Sequence, residues 1–147
     1  EDEIILKRSS AVIKIKSGGR EAYLKKLVPY LNNSNKNGIE NIVKEIIENN
    51  TDEGICGNLL ALSTRTSTIN KLNEINIPVL LISGTDDLIN PSEELDKLYN
   101  IIGQNRLKST LTALYRIKDS GHLCNVENPE EFNRIIEWFL NGIEFES

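Results

Sequence analysis

His122 is the only histidine in this 147-residue chain. It follows Ser120-Gly121 in the stretch IKDSGHLCNVENPEEF, just beyond an apolar run. A second polar cluster, Asp86-Asp87, closes the apolar run IPVLLISG in the same manner. A carboxylate beside an imidazole can serve general-base chemistry. The carboxylate holds one tautomer and stabilises the imidazolium as it forms. A glycine precedes each cluster, Gly84 or Gly121, and permits the tight turn that aims the side chains. Either cluster alone has an ordinary explanation. Asp-Asp after a strand is a common turn or helix cap, and a lone loop histidine is commonly a polar surface residue. Their joint occurrence is what points to chemistry.

For the clusters to meet, residues 77–83 and 111–118 must be neighbouring strands of a parallel sheet, where sites form beyond the carboxyl ends. IPVLLISG is a continuous β-branched and leucine run bounded by proline and glycine, the pattern of a strand buried on both faces. TALYRIKDSG is more mixed in polarity and reads as nearer an edge. Between them PSEELDKLYNII predicts a helix, capped by Asn90 or Ser92, with a stripe of Leu95, Leu98, Tyr99 and Ile102. After them NPEEFNRIIEWFLNG predicts another. Asn128 caps it, Pro129 takes its first position, Gly142 lies just past its end, and Phe132, Ile135, Ile136 and Phe139 form its apolar face. This strand–helix–strand–helix order argues for a right-handed parallel βαβ unit. Strand 77–83 wants neighbours on both sides, and the chain offers at most one more, so the sheet is expected to be incomplete.

The front of the chain reads differently. In EDEIILKRSSAVIKIKSGG the segment AVIKIK alternates like a strand, yet Ile4, Ala11 and Ile15 share one helical face. Leading acids, following lysines and Gly18-Gly19 favour a helix over about 2–16 that stops at the glycines. REAYLKKLVPYLNN places Tyr23, Leu24, Leu27, Val28 and Leu31 at helical spacing, with Pro29 expected to kink or end the helix. NSNKNG at 33–38 reads as a loop. IENIVKEIIENN carries the stripe Ile39, Ile42, Val43, Ile46 and Ile47. Thr51 is an N-cap candidate for TDEGICGNLLALSTR, in which Gly54 and Gly57 weaken the helix or let another backbone approach. Residues 1–74 are therefore expected to be a helical region and 75–147 an α/β region.

Composition narrows the functions. Hydrophobic residues make up 39% of the chain and charged residues 27%, enough to bury a core. A net charge of −5 with no long basic run argues against nucleic acid and against an anionic membrane surface. The longest apolar runs are too short to span a bilayer. The acidic, then mixed, N-terminus does not read as a signal peptide. Cys56 and Cys124 show no metal-ligand spacing, so reduced thiols and a cytoplasmic location are expected. The chain has no methionine and begins at Glu1, which predicts a processed, trimmed or incompletely recorded product.

The two clusters and their surroundings closely resemble segments of the α/β-hydrolase family. IPVLLISGTDDLINP matches its acid segment, an apolar strand followed by G-x-x-D-x-x-x-P, here Gly84, Asp87 and Pro91. DSGHLCNVENPEEFNRIIEWFL matches its terminal segment, here Ser120, Gly121, His122, Glu127, Asn128 and Pro129, ending in Trp138-Phe139-Leu140. Asp precedes His, as in the family. GGREAYLKKLVPYL and TDEGICGNLLALSTRTST look more loosely like the helical cap of the small esterase and enol-lactonase branch, so that 1–74 would be cap and 75–147 the C-terminal part of the core.

The resemblance implies that Asp87 is the triad acid and His122 the general base. Asp86 is the weaker candidate, because it breaks the G-x-x-D spacing. Cys124 matches no family nucleophile and reads as a small packed side chain. The substrate would be a small carboxylic ester, thioester or lactone, and no metal or organic cofactor is implied. No G-x-S-x-G occurs in the chain, and Ser9, Ser10, Ser17, Ser63, Ser67 and Ser83 lack an elbow setting. The chain alone is therefore expected to be inactive, its sheet completed by an N-terminal half, another chain or a swapped copy. Two alternatives stay open. One is a degenerate hydrolase acting as a binding module. The other, weaker, is an unrelated regulatory domain whose Asp-Asp pair binds a cation.

Overall fold

A computed structural model describes residues 2–31, 39–103 and 111–144. The loop expected at 33–38 lies outside them. The chain divides into two compact units, Glu1–Pro29 with Asn37–Ser67 and Tyr30–Lys36 with Thr68–Ser147.

The first unit is helical: α1 (Asp2–Lys14), α2 (Arg20–Leu31), α3 (Ile39–Glu48) and α4 (Asp52–Thr64). The ambiguous first segment is thus helix, not strand. Val12 and Ile15 bury with Cys56 of α4, and Tyr23, Ile55 and Leu59 pack around them. That burial outweighs the weak helical propensity of β-branched residues. Gly18 takes φ +83 inside a single wide turn, Ile15–Gly19, after which α2 begins at once. Ser17 and Gly18 are non-helical, so the first helix stops at the glycines as expected and the path kinks there, since φ > 0 comes without strain at glycine. Pro29 does not end α2, which runs to Leu31; the fixed φ of proline suits a helix, and it forfeits one backbone bond. Only part of the α3 stripe is covered. Ile39 and Val43 are buried, but Ile42 and Ile46 are exposed. Thr51 caps α4 as expected, its Oγ1 accepting from the Gly54 amide at 3.1 Å. No backbone approaches Gly57, where a Cβ would meet nothing within 4 Å. Arg20 ties the unit together, donating to Asp52 Oδ1 at 3.0 Å and to the carbonyls of Ile47 and Asn50.

The second unit contains a short 3₁₀ helix (Ile69–Glu74), β1 (Val79–Gly84), α5 (Ser92–Gly103), β2 (Thr112–Ile117), a one-turn α6 (Cys124–Glu127) and α7 (Pro129–Glu144). The strands are parallel, paired from Val79 opposite Thr112 to Gly84 opposite Ile117. Leu80, Ile82, Tyr115 and Ile117 pack with Cys124, Phe132 and Ile135, so α7 covers that face. Arg116 points to the other face by the two-residue period and pairs with Asp96 of α5 at 2.6 Å. Among the described residues β2 is the only partner of β1. Residues 79–82 are therefore only partly buried, where the apolar run predicts burial on both faces. The sheet is incomplete, as expected. Asn128 Oδ1 accepts from the Glu131 amide at 3.3 Å and caps α7, but that helix runs past Gly142 to Glu144. Among the described residues no helix is long and apolar enough to cross a membrane.

One cluster that the sequence reading missed joins β2 to α7. Tyr115 donates its hydroxyl to Glu131 Oε1 at 2.7 Å, and Arg134 grips the same carboxylate at 2.6 and 2.8 Å. The Arg134 bonds, and then the Tyr115 bond, hold the Glu131 carboxyl down at about 2, from an ordinary 4.5. A carboxyl depressed in the folded chain contributes stability above its unfolded value and loses it as pH falls through its folded value. Glu131→Gln is therefore expected to lower the melting temperature at neutral pH, and the gap to wild type to close between about pH 4.5 and pH 2. Thermal unfolding of both proteins across that window is the check. A constant gap would mean that the carboxylate charge contributes nothing.

Candidate active site

The site forms where β1 and β2 end side by side. Beyond Gly84 the chain turns through Thr85, Asp86 and Asp87; beyond Ile117 it turns through Asp119, Ser120, Gly121 and His122. Backbone bonds join the two turns. The Thr85 amide donates to the Ile117 carbonyl, and the Asp86 amide to the Ser120 carbonyl, both at 2.9 Å. The Asp119 amide donates to Thr85 Oγ1 at 3.1 Å. Asp119 holds φ +51, a left-handed conformation that aspartate tolerates better than most residues.

These bonds bring Asp87 against His122. Nδ1 of the imidazole lies 3.1 Å from Asp87 Oδ2 and 3.3 Å from Oδ1. Asp87 Oδ1 also accepts the amides of Ile89 and Asn90, at 2.8 and 2.9 Å. Two backbone donors thus fix the carboxylate before the imidazole meets it. The Asp87 side chain is 5% exposed and that of His122 is 30% exposed. An inner acid and an outer imidazole suit a proton-transferring pair. With the carboxylate on Nδ1 the proton belongs on that nitrogen, and Nε2, across the ring, is left as a base.

The other candidates fall elsewhere. Asp86 uses Oδ1 to accept from the Thr85 hydroxyl at 3.1 Å, and the imidazole faces Asp87. Cys124 is buried beside Ile117 and Ile135, and that burial pushes its thiol pKa up, as for a packed side chain. Cys56 is also a free, buried cysteine. Ser83 is buried within β1, while Ser17 and Ser63 donate back to carbonyls of their own helices. Among the described residues no three His, Cys, Asp or Glu side chains group to hold a metal.

Sequence reading missed two supporting groups. The Thr85 hydroxyl bridges both turns. Glu127, noted only as a motif position, is buried and accepts from the Gly121 amide at 2.9 Å. The only signal in the sequence was the acidic motif position itself; its burial and its bond to Gly121 are set by the fold.

No protein-family model and no curated protein matches this chain. Solved structures do match its fold. A thermophilic esterase from Thermogutta terrifontis aligns at TM-score 0.83 and 21% identity, over 97% of this chain and 52% of that one. The enol-lactonase from Burkholderia xenovorans LB400 aligns at TM-score 0.74 and 19% identity, over 90% and 49%. MGS-M2, an alpha/beta hydrolase enzyme from a Medee basin deep-sea metagenome library, aligns at 0.71 and 19%, over 96% and 52%. This chain has the α/β-hydrolase fold. It spans about half the length of the solved chains it matches, as a C-terminal portion of the fold would.

Proposed function

We propose that this chain supplies the acid and the general base of a serine hydrolase acting on a carboxylic ester, thioester or lactone. The observation that carries the reading is the Asp87–His122 contact at 3.1 Å, set at the adjoining ends of two parallel strands. The solved structures of similar fold include an esterase and an enol-lactonase, which supports this substrate class.

The nucleophile is a serine outside these 147 residues, since no G-x-S-x-G occurs within them. Its hydroxyl attacks the carbonyl while Nε2 of His122 takes the proton. Asp87 keeps Nδ1 protonated and stabilises the imidazolium. The same Nε2 then protonates the leaving oxygen or sulfur, and afterwards activates the water that releases the acyl group. Residues 1–74 are the cap region of that hydrolase, and 75–147 belong to its catalytic core. The protein works in the cytoplasm, with both thiols reduced.

The test is expression of the reading frame with whatever coding sequence precedes Glu1, beside the 147 residues alone. The longer product is expected to hydrolyse p-nitrophenyl acetate and to be labelled by a fluorophosphonate on a serine outside this chain. The shorter product should do neither. Label on a serine within these residues, or none on the longer product, sinks the proposal.

A further inference from the structure

We infer that Glu127 is a positioning residue for His122, acting through the peptide unit that joins Ser120 to Gly121. That unit is held at both ends. Its carbonyl, on Ser120, accepts from the Asp86 amide at 2.9 Å. Its amide, on Gly121, donates to Glu127 Oε1, also at 2.9 Å. One end is thus fixed by the turn that carries the acid, and the other by a buried carboxylate. His122 is the next residue along.

The surroundings make this clamp stiff. Ser120 is fully buried, and its hydroxyl is tied to the Lys118 carbonyl at 3.1 Å. Gly121 is buried as well, so its amide needs an internal acceptor. Glu127 closes the one-turn α6, whose amides at Val126 and Glu127 both return to the Leu123 carbonyl, at 2.8 and 2.9 Å. The carboxylate therefore reaches back from a fixed turn across the loop that bears the imidazole. A charged acceptor makes a stronger bond to an amide than a neutral one does. Removing it frees the peptide to rotate, and the imidazole moves off Asp87 even though Asp87 is intact.

This rests on the reading of His122 as general base, and the single histidine allows the two to be tested apart. The 15N shifts of the imidazole, recorded on this chain at alkaline pH with the ring neutral, report the tautomer of one residue. Wild type is expected to show mainly the Nδ1–H form. Glu127→Ala should lose that preference and speed Gly121 amide exchange by about ten- to a hundredfold, while the remaining amide spectrum stays dispersed. Glu127→Gln keeps an acceptor of the same reach and should retain the Nδ1–H form. A folded Glu127→Ala that keeps wild-type tautomer and exchange overturns the inference. So does loss of the tautomer in both variants, which would assign the effect to charge rather than to the Gly121 bond. Should Glu127→Ala not fold, Gly121 exchange in wild type decides: slow exchange supports the clamp, and exchange at the rate of an open loop refutes it. A wild-type imidazole without the Nδ1–H preference would instead defeat the general-base reading, and Gly121 exchange would still report on the clamp.

Discussion

His122→Ala is expected to lower kcat of the proposed longer hydrolase by roughly 10⁴ to 10⁶-fold, and Asp87→Asn by about 10⁴-fold, with KM nearly unchanged. A loss of 10⁴ corresponds to about 5.5 kcal/mol of transition-state stabilisation. The alanine variant removes the base outright. The asparagine variant is more informative. Its Oδ1 can still accept from the Ile89 and Asn90 amides, which hold the native carboxylate at 2.8 and 2.9 Å, so the turn is expected to survive. Its amide, however, presents a donor to Nδ1. The imidazole then adopts the opposite tautomer, with the proton on Nε2, where it cannot accept one from serine. Asp86→Asn is the matched control and should change kcat less than about tenfold, since the imidazole faces Asp87. Steady-state kinetics on a p-nitrophenyl ester, with thermal unfolding as a check on folding, separates the three. Should Asp86→Asn cost as much as Asp87→Asn, the acid has been assigned to the wrong carboxylate.

Much of the second unit was legible in the sequence because its signals are local. A proline and a glycine frame the run that becomes β1, and Asn128-Pro129 marks the start of α7. The meeting of Asp87 and His122 followed from topology, since parallel strands place their following loops at one edge. What the sequence could not carry were features settled by contacts between distant residues. Val12 and Ile15 form helix because Cys56 and its neighbours, some forty positions later, bury them. Leading acids, following lysines and Gly18-Gly19 favour helix over AVIKIK as a strand, but nothing local shows what buries it. Gly142 resembles a helix end, yet a Cβ there would only touch Leu111 Cδ2 at 3.5 Å, and α7 continues through it. The Tyr115–Glu131–Arg134 cluster spans a strand and a helix; Glu131 and Arg134 stand at i,i+3, but nothing local brings Tyr115 to them. The Glu127 bond to Gly121 is similar, for a motif gives the acid but not the atom it holds.

Gly84→Ala is expected to be the most damaging single-methyl change in the second unit. An ideal Cβ at Gly84 would lie 2.0 Å from the Ser120 carbonyl oxygen and 2.4 Å from that of Gly121. Both obstacles are backbone, so no side chain can swing aside. Relief requires the ends of β1 and β2 to part, at the place where the Thr85 and Asp86 amides join them. Overpacking a core costs about 1–3 kcal/mol where side chains can adjust, and here the cost belongs at or above the top of that range. The melting temperature should fall by roughly 10 °C or more. Gly57→Ala adds the same methyl inside α4 with nothing within 4 Å, and is expected to be neutral or to stabilise by up to about 1 kcal/mol. A Gly84→Ala melting temperature within about 2 °C of wild type would show that the two strand ends do not lie this close. If the variant folds with the ends forced apart, His122 should lose its tautomer preference while Asp87 and Glu127 are chemically unchanged. The same separation that lowers the melting temperature would then remove the proton-transfer geometry, because one backbone contact serves both.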